Sequence, residues 1–389
     1  MTDSKPSLII EERPCQSGQR MGYACLNAPE SLNALTLPMI RQLTKALNQW
    51  RQDSQICFVW LEGAGDRAFC AGGDIVKLYE SMTSDKFTTN VVSNKNDKSS
   101  PGTNLYAEKF FSEEYRLDYL IHRFSKPIVC WGHGVVMGGG LGLMSGASHR
   151  VVTEQSRIAM PEVSIGLFPD VGGTWFLSRM SGGAGLYLGL TGASCNAADA
   201  IELDWADNFL PSSQRTHLIE ALQRLQWSSG ESNHSRVTQL LRAWQEQHKA
   251  QLPIGQIAEH RDLVRQVTRG DTLAEVVDSI LSLPAKDGWL KKSQDSLINA
   301  CPTSLHLVWR QVQEGGRLTL SEVFRQELVM ALQCTTHGEF KEGVRALLID
   351  KDRKPKWRYQ NVSSVPPSYI QKFFTPPWKK NPLDDLSSH

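Results

Sequence analysis

Two glycine-rich turns constrain this chain more than any other feature. Ala71-Gly72-Gly73-Asp74 follows the apolar strand Cys57-Phe58-Val59-Trp60-Leu61, and Gly138-Gly139-Gly140 follows Pro127-Ile128-Val129-Cys130-Trp131. Each opens a short helix. Without a Cβ the backbone can approach a ligand closely, and the first N–H groups of a helix have no intrahelical partner. Two such turns converging on one point offer a pair of donors to an oxygen that gains negative charge. Further on, Met160-Pro161-Glu162 and Phe168-Pro169-Asp170 put two carboxylates on a turn and at a helix entry. A donor pair with two acids, and no G-x-S-x-G nucleophile, points to acyl chemistry driven by water or a carboxylate.

Composition narrows the rest. The 389 residues suffice for one large domain and a second region. Basic and acidic residues balance at 42 and 41, so no global field favours nucleic acid or a membrane, and neither is expected as a partner. No apolar run is long enough to span a bilayer. The start Met1-Thr2-Asp3-Ser4-Lys5-Pro6 has no apolar signal-like stretch, which makes the cytoplasm the expected location. The eight cysteines are scattered, without C-x-x-C or metal-ligand spacing. Cys25, Cys57, Cys70 and Cys130 lie in apolar runs, where thiols behave as small hydrophobes and a reducing compartment suits them. No metal or cofactor is expected. P-loop, H-E-x-x-H and G-x-G-x-x-G dinucleotide spacings are also missing.

Strand and helix signals alternate up to residue 211, which reads as α/β layering and sets the expected core at 1–211. Leu8–Glu11 and Arg20–Leu26 read as strands. Thr36–Gln52 reads as a helix with Leu37, Ile40, Leu43, Leu47 and Trp50 on one face. Residues 81–103 are polar and carry no apolar period, so they are expected to form a flexible loop or lid, or a plain surface insertion. Phe110–Phe124 reads as a helix. From 212 to 389 the pattern is helical: His217–Leu225, Val237–His248, Ile257–Val267, Thr272–Leu283, Trp289–Asn299, Ser304–Glu314 and Ser321–Cys334, followed by a Pro- and charge-rich tail.

The motifs carry a family resemblance. Ala68-Phe69-Cys70-Ala71-Gly72-Gly73-Asp74-Ile75, Lys126-Pro127-Ile128 and Gly132-His133-Gly134 leading to Gly138-Gly139-Gly140 resemble the crotonase (enoyl-CoA hydratase/isomerase) superfamily. Leu26-Asn27, Pro29 and Asn33-Ala34-Leu35 are similar to its first strand and turn. Pro161-Glu162, Gly166-Leu167-Phe168-Pro169-Asp170-Val171-Gly172-Gly173, Phe110–Tyr115 and Glu342–Asp352 resemble its 3-hydroxyisobutyryl-CoA hydrolase branch. The resemblance implies a crotonase-like spiral of ββα units with an added C-terminal helical region. It also implies an acyl-CoA substrate, with CoA as part of that substrate, and a trimer-based homo-oligomer.

It assigns residues too. Gly73 and Gly139 would supply the oxyanion N–H groups. Glu162, placed against Val163, Ile165 and Leu167, would attack the carbonyl or activate water. Asp170 would position water or the departing sulfur's proton, although Pro169-Asp170 is also good N-cap chemistry. Gly142 stands where hydratases of the superfamily carry their first catalytic glutamate. Adding water across C=C needs an acid–base pair, so this departure favours thioester hydrolysis over hydration. Glu114 would contact the substrate hydroxyl, or else be an exposed helix residue. His133 reads as structural. Asp204 stands where the superfamily usually has glycine. An enoyl-CoA hydratase or isomerase, and a non-catalytic acyl-CoA binder, are the alternatives.

Overall fold

The computed structural model describes residues 6–84, 104–228, 232–285 and 287–387. Of the expected lid, residues 85–103 lie outside the described residues, while Ser81, Met82 and Thr83 form the last turn of helix Ile75–Thr83. The chain divides into two compact units that alternate along the sequence. One comprises Met1–Gly73, Leu117–Ile158 and Cys195–Glu259; the other comprises Asp74–Arg116, Ala159–Ser194 and His260–His389.

The first unit is built on strands β1 (Leu8–Pro14), β2 (Arg20–Leu26), β3 (Ile56–Gly63), β5 (Ile128–Gly132), β7 (His149–Val152) and β9 (Asn208–Phe209), paired in the order β1-β2-β3-β5-β7-β9. Only the β1–β2 pair is antiparallel. Parallel strands bury both faces, and every residue of β3 and β5 is buried. Helix Leu37–Gln52 starts where Thr36 accepts the Met39 N–H, and it buries the expected stripe against β1 and β2. Elsewhere on the sheet, Phe58, Trp60 and Trp131 meet Leu218, Leu222, Trp227, Val237 and Leu241, with Phe58 stacked on Trp227 at 4.7 Å between centroids. Helices Arg215–Arg224 and Ser232–His248 therefore belong to the sheet's own core. Within the helical C-terminal region, residues 212–259 group with the sheet and the rest with the second unit. An apolar helix face next to an aromatic strand face decides this, and helical periodicity alone does not name the partner.

A second sheet is small: β4 (Ala68–Cys70), β6 (Val135–Met137) and β8 (Arg157–Ala159), in that order. It inserts a three-residue strand between each long apolar strand and its glycine turn, a step the sequence pattern does not reveal. Asp204 takes the left-handed conformation (φ 58°) that glycine favours, which aspartate tolerates better than most side chains. The local backbone thus keeps a glycine-like shape without the glycine.

The second unit is mostly helical. Its helices Leu273–Leu281 and Leu320–His337 begin with capping boxes, Thr272 with Glu275 and Thr319 with Glu322. Asp287 caps helix Gly288–Asn299. Helix Pro302–Gly315 packs against helices Gly173–Leu177 and Ala184–Thr191. Among the described residues no helix is long and apolar enough to cross a membrane.

Candidate active site

In the first unit, β4 and β6 are parallel neighbours, with Ala68 opposite Val135 and Cys70 opposite Val136. Parallel strands end at the same side, so Ala71-Gly72-Gly73 and Gly138-Gly139-Gly140 leave the small sheet together. A Cβ built on Gly72 (φ 114°) would lie 3.8 Å from the Gly139 nitrogen. One on Gly140 would sit 2.2 Å from the Cys70 carbonyl oxygen, too close for any other residue. Gly139 is the first residue of helix Gly139–Ser145, where the N–H has no intrahelical acceptor. Gly73 is held by a bridge to Leu35, whose N–H donates to the Gly72 carbonyl at 2.8 Å. The two turns thus meet, as their sequence leads one to expect. Gly142 is buried inside the same helix and brings no acid. His133 Nε2 lies 2.8 Å from the Gly65 carbonyl oxygen, a structural contact.

The second unit holds the acids. Glu162 opens the single turn Glu162–Ile165 and is 6 % exposed; Asp170 is 4 % and Glu114 2 % exposed. Glu114 is therefore no surface residue of helix Leu105–His122. The next residue of that helix, Tyr115, donates its hydroxyl to Asp170 Oδ2 at 2.7 Å. Glu162 Oε2 and Glu114 Oε1 are buried without a hydrogen-bond partner. Burial opposes a charge on each acid. It pushes Asp170 up to about 6, against the opposing pull of the Tyr115 hydroxyl, which favours the carboxylate. Burial, then the nearby Asp170, holds Glu162 and Glu114 well above the usual carboxyl range. Three buried acids that share one field, with open hydrogen-bonding capacity, are suited to proton transfer rather than to stability. Among the described residues no group of three or more His, Cys, Asp or Glu side chains is arranged to hold a metal ion.

The segment that presents Asp170 is itself unusual. Val171 has φ 50°, a left-handed conformation that a β-branched residue adopts only under constraint. Asp170 does not cap the following helix; Gly172 occupies the cap position without a side-chain bond. The helix N–H groups go instead to Glu327, whose Oε2 accepts from Gly172 and Oε1 from Thr174, each at 2.8 Å. Gln311 Nε2 donates to the Pro169 carbonyl at 2.8 Å and to Thr174 Oγ1 at 2.7 Å. Sequence reasoning passes over Tyr115, Gln311 and Glu327. Only a charged Glu327 among the apolar neighbours Phe324, Leu328, Val329 and Met330 hints at a buried role.

Residues 21–374 match the family model described as enoyl-CoA hydratase/isomerase. The chain belongs to the enoyl-CoA hydratase/isomerase family. A protein named 3-hydroxyisobutyryl-CoA hydrolase, mitochondrial, from Danio rerio is 37 % identical over 360 residues, covering 92 % of this chain and 87 % of that protein. The Homo sapiens protein of the same name is 35 % identical over 376 residues, covering 96 % and 89 %. Among solved structures, an enoyl-CoA hydratase from Rhodobacter sphaeroides superposes with a TM-score of 0.76 at 31 % identity, covering 94 % of this chain and 97 % of that one. A carnitinyl-CoA dehydratase from Mycobacterium thermoresistibile gives 0.77 at 29 % identity, covering 96 % and 97 %. The architecture is the crotonase fold, a mixed α/β arrangement with a parallel-dominated sheet and a helical C-terminal region.

Proposed function

We propose that the protein hydrolyses a short, branched 3-hydroxyacyl-CoA thioester, with 3-hydroxyisobutyryl-CoA as substrate and 3-hydroxyisobutyrate and free CoA as products. The observation that carries this is the similarity, over more than nine-tenths of the chain, to proteins named for that hydrolysis. The acids agree with it: Gly142 leaves no carboxyl where a hydratase needs one, while Glu162 and Asp170 are buried together. Water adds to the thioester carbonyl, the C–S bond breaks, and the departing sulfur takes up a proton. The N–H groups of Gly73 and Gly139 would hold the carbonyl oxygen as it becomes negative. Glu162 would attack the carbonyl or activate water, and Asp170 would position water or the departing sulfur's proton. Glu114, buried and with an unpaired oxygen, would read the substrate hydroxyl.

The substrate would place the protein in valine degradation. Its eight buried cysteines, none in a disulfide, fit a reducing compartment, and we propose the cytoplasm; fractionation against the mitochondrial location in its relatives' names tests this. We also propose a trimer-based assembly, to be read by light scattering.

Release of free thiol from 3-hydroxyisobutyryl-CoA, followed with a thiol reagent, is the deciding measurement. Two solved structures of the family are named hydratase and dehydratase, so hydration of an enoyl-CoA is the second reading. It would show as lost enoyl absorbance without thiol; binding without either change would mark a non-catalytic binder. A site built to hydrogen-bond a hydroxyl rejects an analogue lacking it, because a buried polar group is left unpaired. 3-Hydroxyisobutyryl-CoA should therefore exceed isobutyryl-CoA by about 100-fold or more in kcat/KM. Glu114→Ala should shrink that ratio by slowing the hydroxylated ester. Equal hydrolysis of both esters by the wild type would refute the branched hydroxyacyl assignment.

A further inference from the structure

We propose that Cys15 and Cys57 form a peroxide-reactive dithiol: hydrogen peroxide oxidises the Cys15 sulfur, and Cys57 then closes a disulfide between the end of β1 and the start of β3. The site lies wholly in the first unit and is separate from the thioester chemistry proposed above.

Local structure brings the two sulfurs together. Pro14, the last residue of β1, pairs with Arg20 of β2, and Arg20 pairs in turn with Ile56 of β3. Cys15 and Cys57 each follow one of these two partners of Arg20. Met21 pairs with Phe58, so Cys57 is the extra residue of a β-bulge, a device that re-aims a side chain. The Cys57 thiol has two acceptors, the Arg20 carbonyl oxygen at 3.2 Å and the Cys15 sulfur at 3.8 Å. Cys15 closes the turn from β1 to β2, its N–H donating to the Gln19 carbonyl at 2.8 Å. Gln223 of helix Arg215–Arg224 anchors that turn. Its carbonyl accepts the Gln16 N–H at 2.9 Å, and its Nε2 donates to the Pro14 carbonyl at 3.0 Å. Both sulfurs are thus held in contact, and a disulfide needs them about 2.05 Å apart.

Electrostatics distinguishes the two thiols. The Cys57 thiol, joined by the Met21 N–H, holds the Cys15 thiol below its usual range against the opposing effect of burial. A thiolate is the form that attacks an oxidant. Cys57 moves the other way, because it shares its proton with Cys15 and is buried, so it stays a thiol. Burial pushes Cys25 up to about 11 and also raises Cys130, Cys195, Cys301 and Cys334. Those five are therefore inert neighbours in the same chain. Cys15 also keeps the largest exposed fraction of the eight cysteines, 6 %, on a turn whose Gln16 and Gly18 face solvent. Hydrogen peroxide is small and uncharged, which fits so narrow an opening.

Atoms and electrons balance in two steps. The Cys15 thiolate attacks one peroxide oxygen, the O–O bond breaks, and the departing hydroxide takes up the proton that Cys15 released, giving water. Cys15 is then a sulfenic acid. The Cys57 sulfur attacks Cys15 Sγ, the S–O bond breaks, and the hydroxide leaves with the Cys57 proton as a second water. Two thiols have given two electrons to one peroxide. Closure removes the sulfenic acid before a second peroxide can carry it to the irreversible sulfinic stage. Small thiols of a reducing compartment reopen the bond by exchange.

Reduced protein, freed of reductant and given an equimolar amount of hydrogen peroxide, should lose two of its eight thiols and become lighter by two hydrogens. A non-reducing peptide map should join Cys15 to Cys57, and dithiothreitol should restore both thiols. Cys57→Ser should stop at the sulfenic acid, which dimedone captures on Cys15. Cys15→Ser should keep all of its thiols through the same exposure. Retention of all eight thiols by the wild type, or a bridge between any other pair, would overturn the proposal. So would dimedone capture on Cys57, or thiol loss in Cys15→Ser equal to that of the wild type. If either serine variant fails to fold, the wild-type peptide map alone decides, since it reads the same pair without a substitution.

Discussion

In the first unit the candidate donors are backbone groups, and everything that places them is local: two three-residue strands, two glycine turns and a helix start. In the second unit the candidate acids are side chains from a helix near residue 114, a turn at 162 and a strained segment at 170. The segment that carries Asp170 is held by Gln311 and Glu327 from much later in the chain. The first device depends on the absence of side chains at Gly72 and Gly140, where an added Cβ would be strained or would clash. The second depends on side chains at long range, and it can degrade by steps. Substitutions should therefore act abruptly in one and gradually in the other.

The largest effect is expected at Gly139. Proline suits the first position of a helix and removes only the N–H. Gly139→Pro should leave the fold intact and lower kcat about 100–1000-fold for every acyl-CoA tested. A loss confined to hydroxylated substrates would show that Gly139 does not face the thioester. In the acid cluster, Glu162→Gln keeps the shape and removes the proton. A fall in kcat of at least about 100-fold with little change in KM should follow; near-normal turnover would exclude Glu162 from the chemistry.

The same contrast explains what the sequence makes legible. Sterics demand glycine at positions 72 and 140, so the sequence announces both turns, and strand and helix bounds such as Arg20–Leu26 follow from period and caps. The strands β4 and β6 are too short for a period to show. Glu114, Glu162 and Asp170 are visible through motifs, but Tyr115 reads as one more apolar helix position, and for Glu327 only its apolar neighbours give a hint. Their partners lie 55 and about 150 residues away along the chain, a separation that carries no local signal.

Smaller effects should appear in the clamp. Glu327→Gln keeps one acceptor for the Gly172 and Thr174 N–H groups and leaves the other unmet, which should cost about 1–3 kcal/mol in urea unfolding. The loss of kcat should be smaller than that of Glu162→Gln. Unchanged stability would mean that the segment holds itself.

The smallest expected effect separates the units by pH. Buried acids whose pKa is raised in the folded state hold protons that the unfolded chain releases. The stability they contribute is fully present below the ordinary carboxyl range of about 4 and is lost as pH rises through about 6, for Asp170, and about 8, for Glu327. Glu114→Gln cannot ionise, so it should raise the Tm relative to wild type at pH 8 and change it little at pH 4. An equal shift at both pH values would mean that packing, not charge, explains it. No substitution in the glycine turns should carry such a pH signature.

Val171 gives this arrangement a practical consequence. Holding a β-branched residue at φ 50° costs on the order of 1–3 kcal/mol, and Val171→Gly would relieve it only by giving up a fully buried side chain. At the buried acids, heat resistance and turnover select opposite residues. A library of this protein sorted for survival at high temperature alone would enrich glutamine at 114 and 162, and the sturdiest clones would be inert. Engineering for durability has to start elsewhere, on the exposed faces of the helices, where thermal gain and catalysis are not tied to one another.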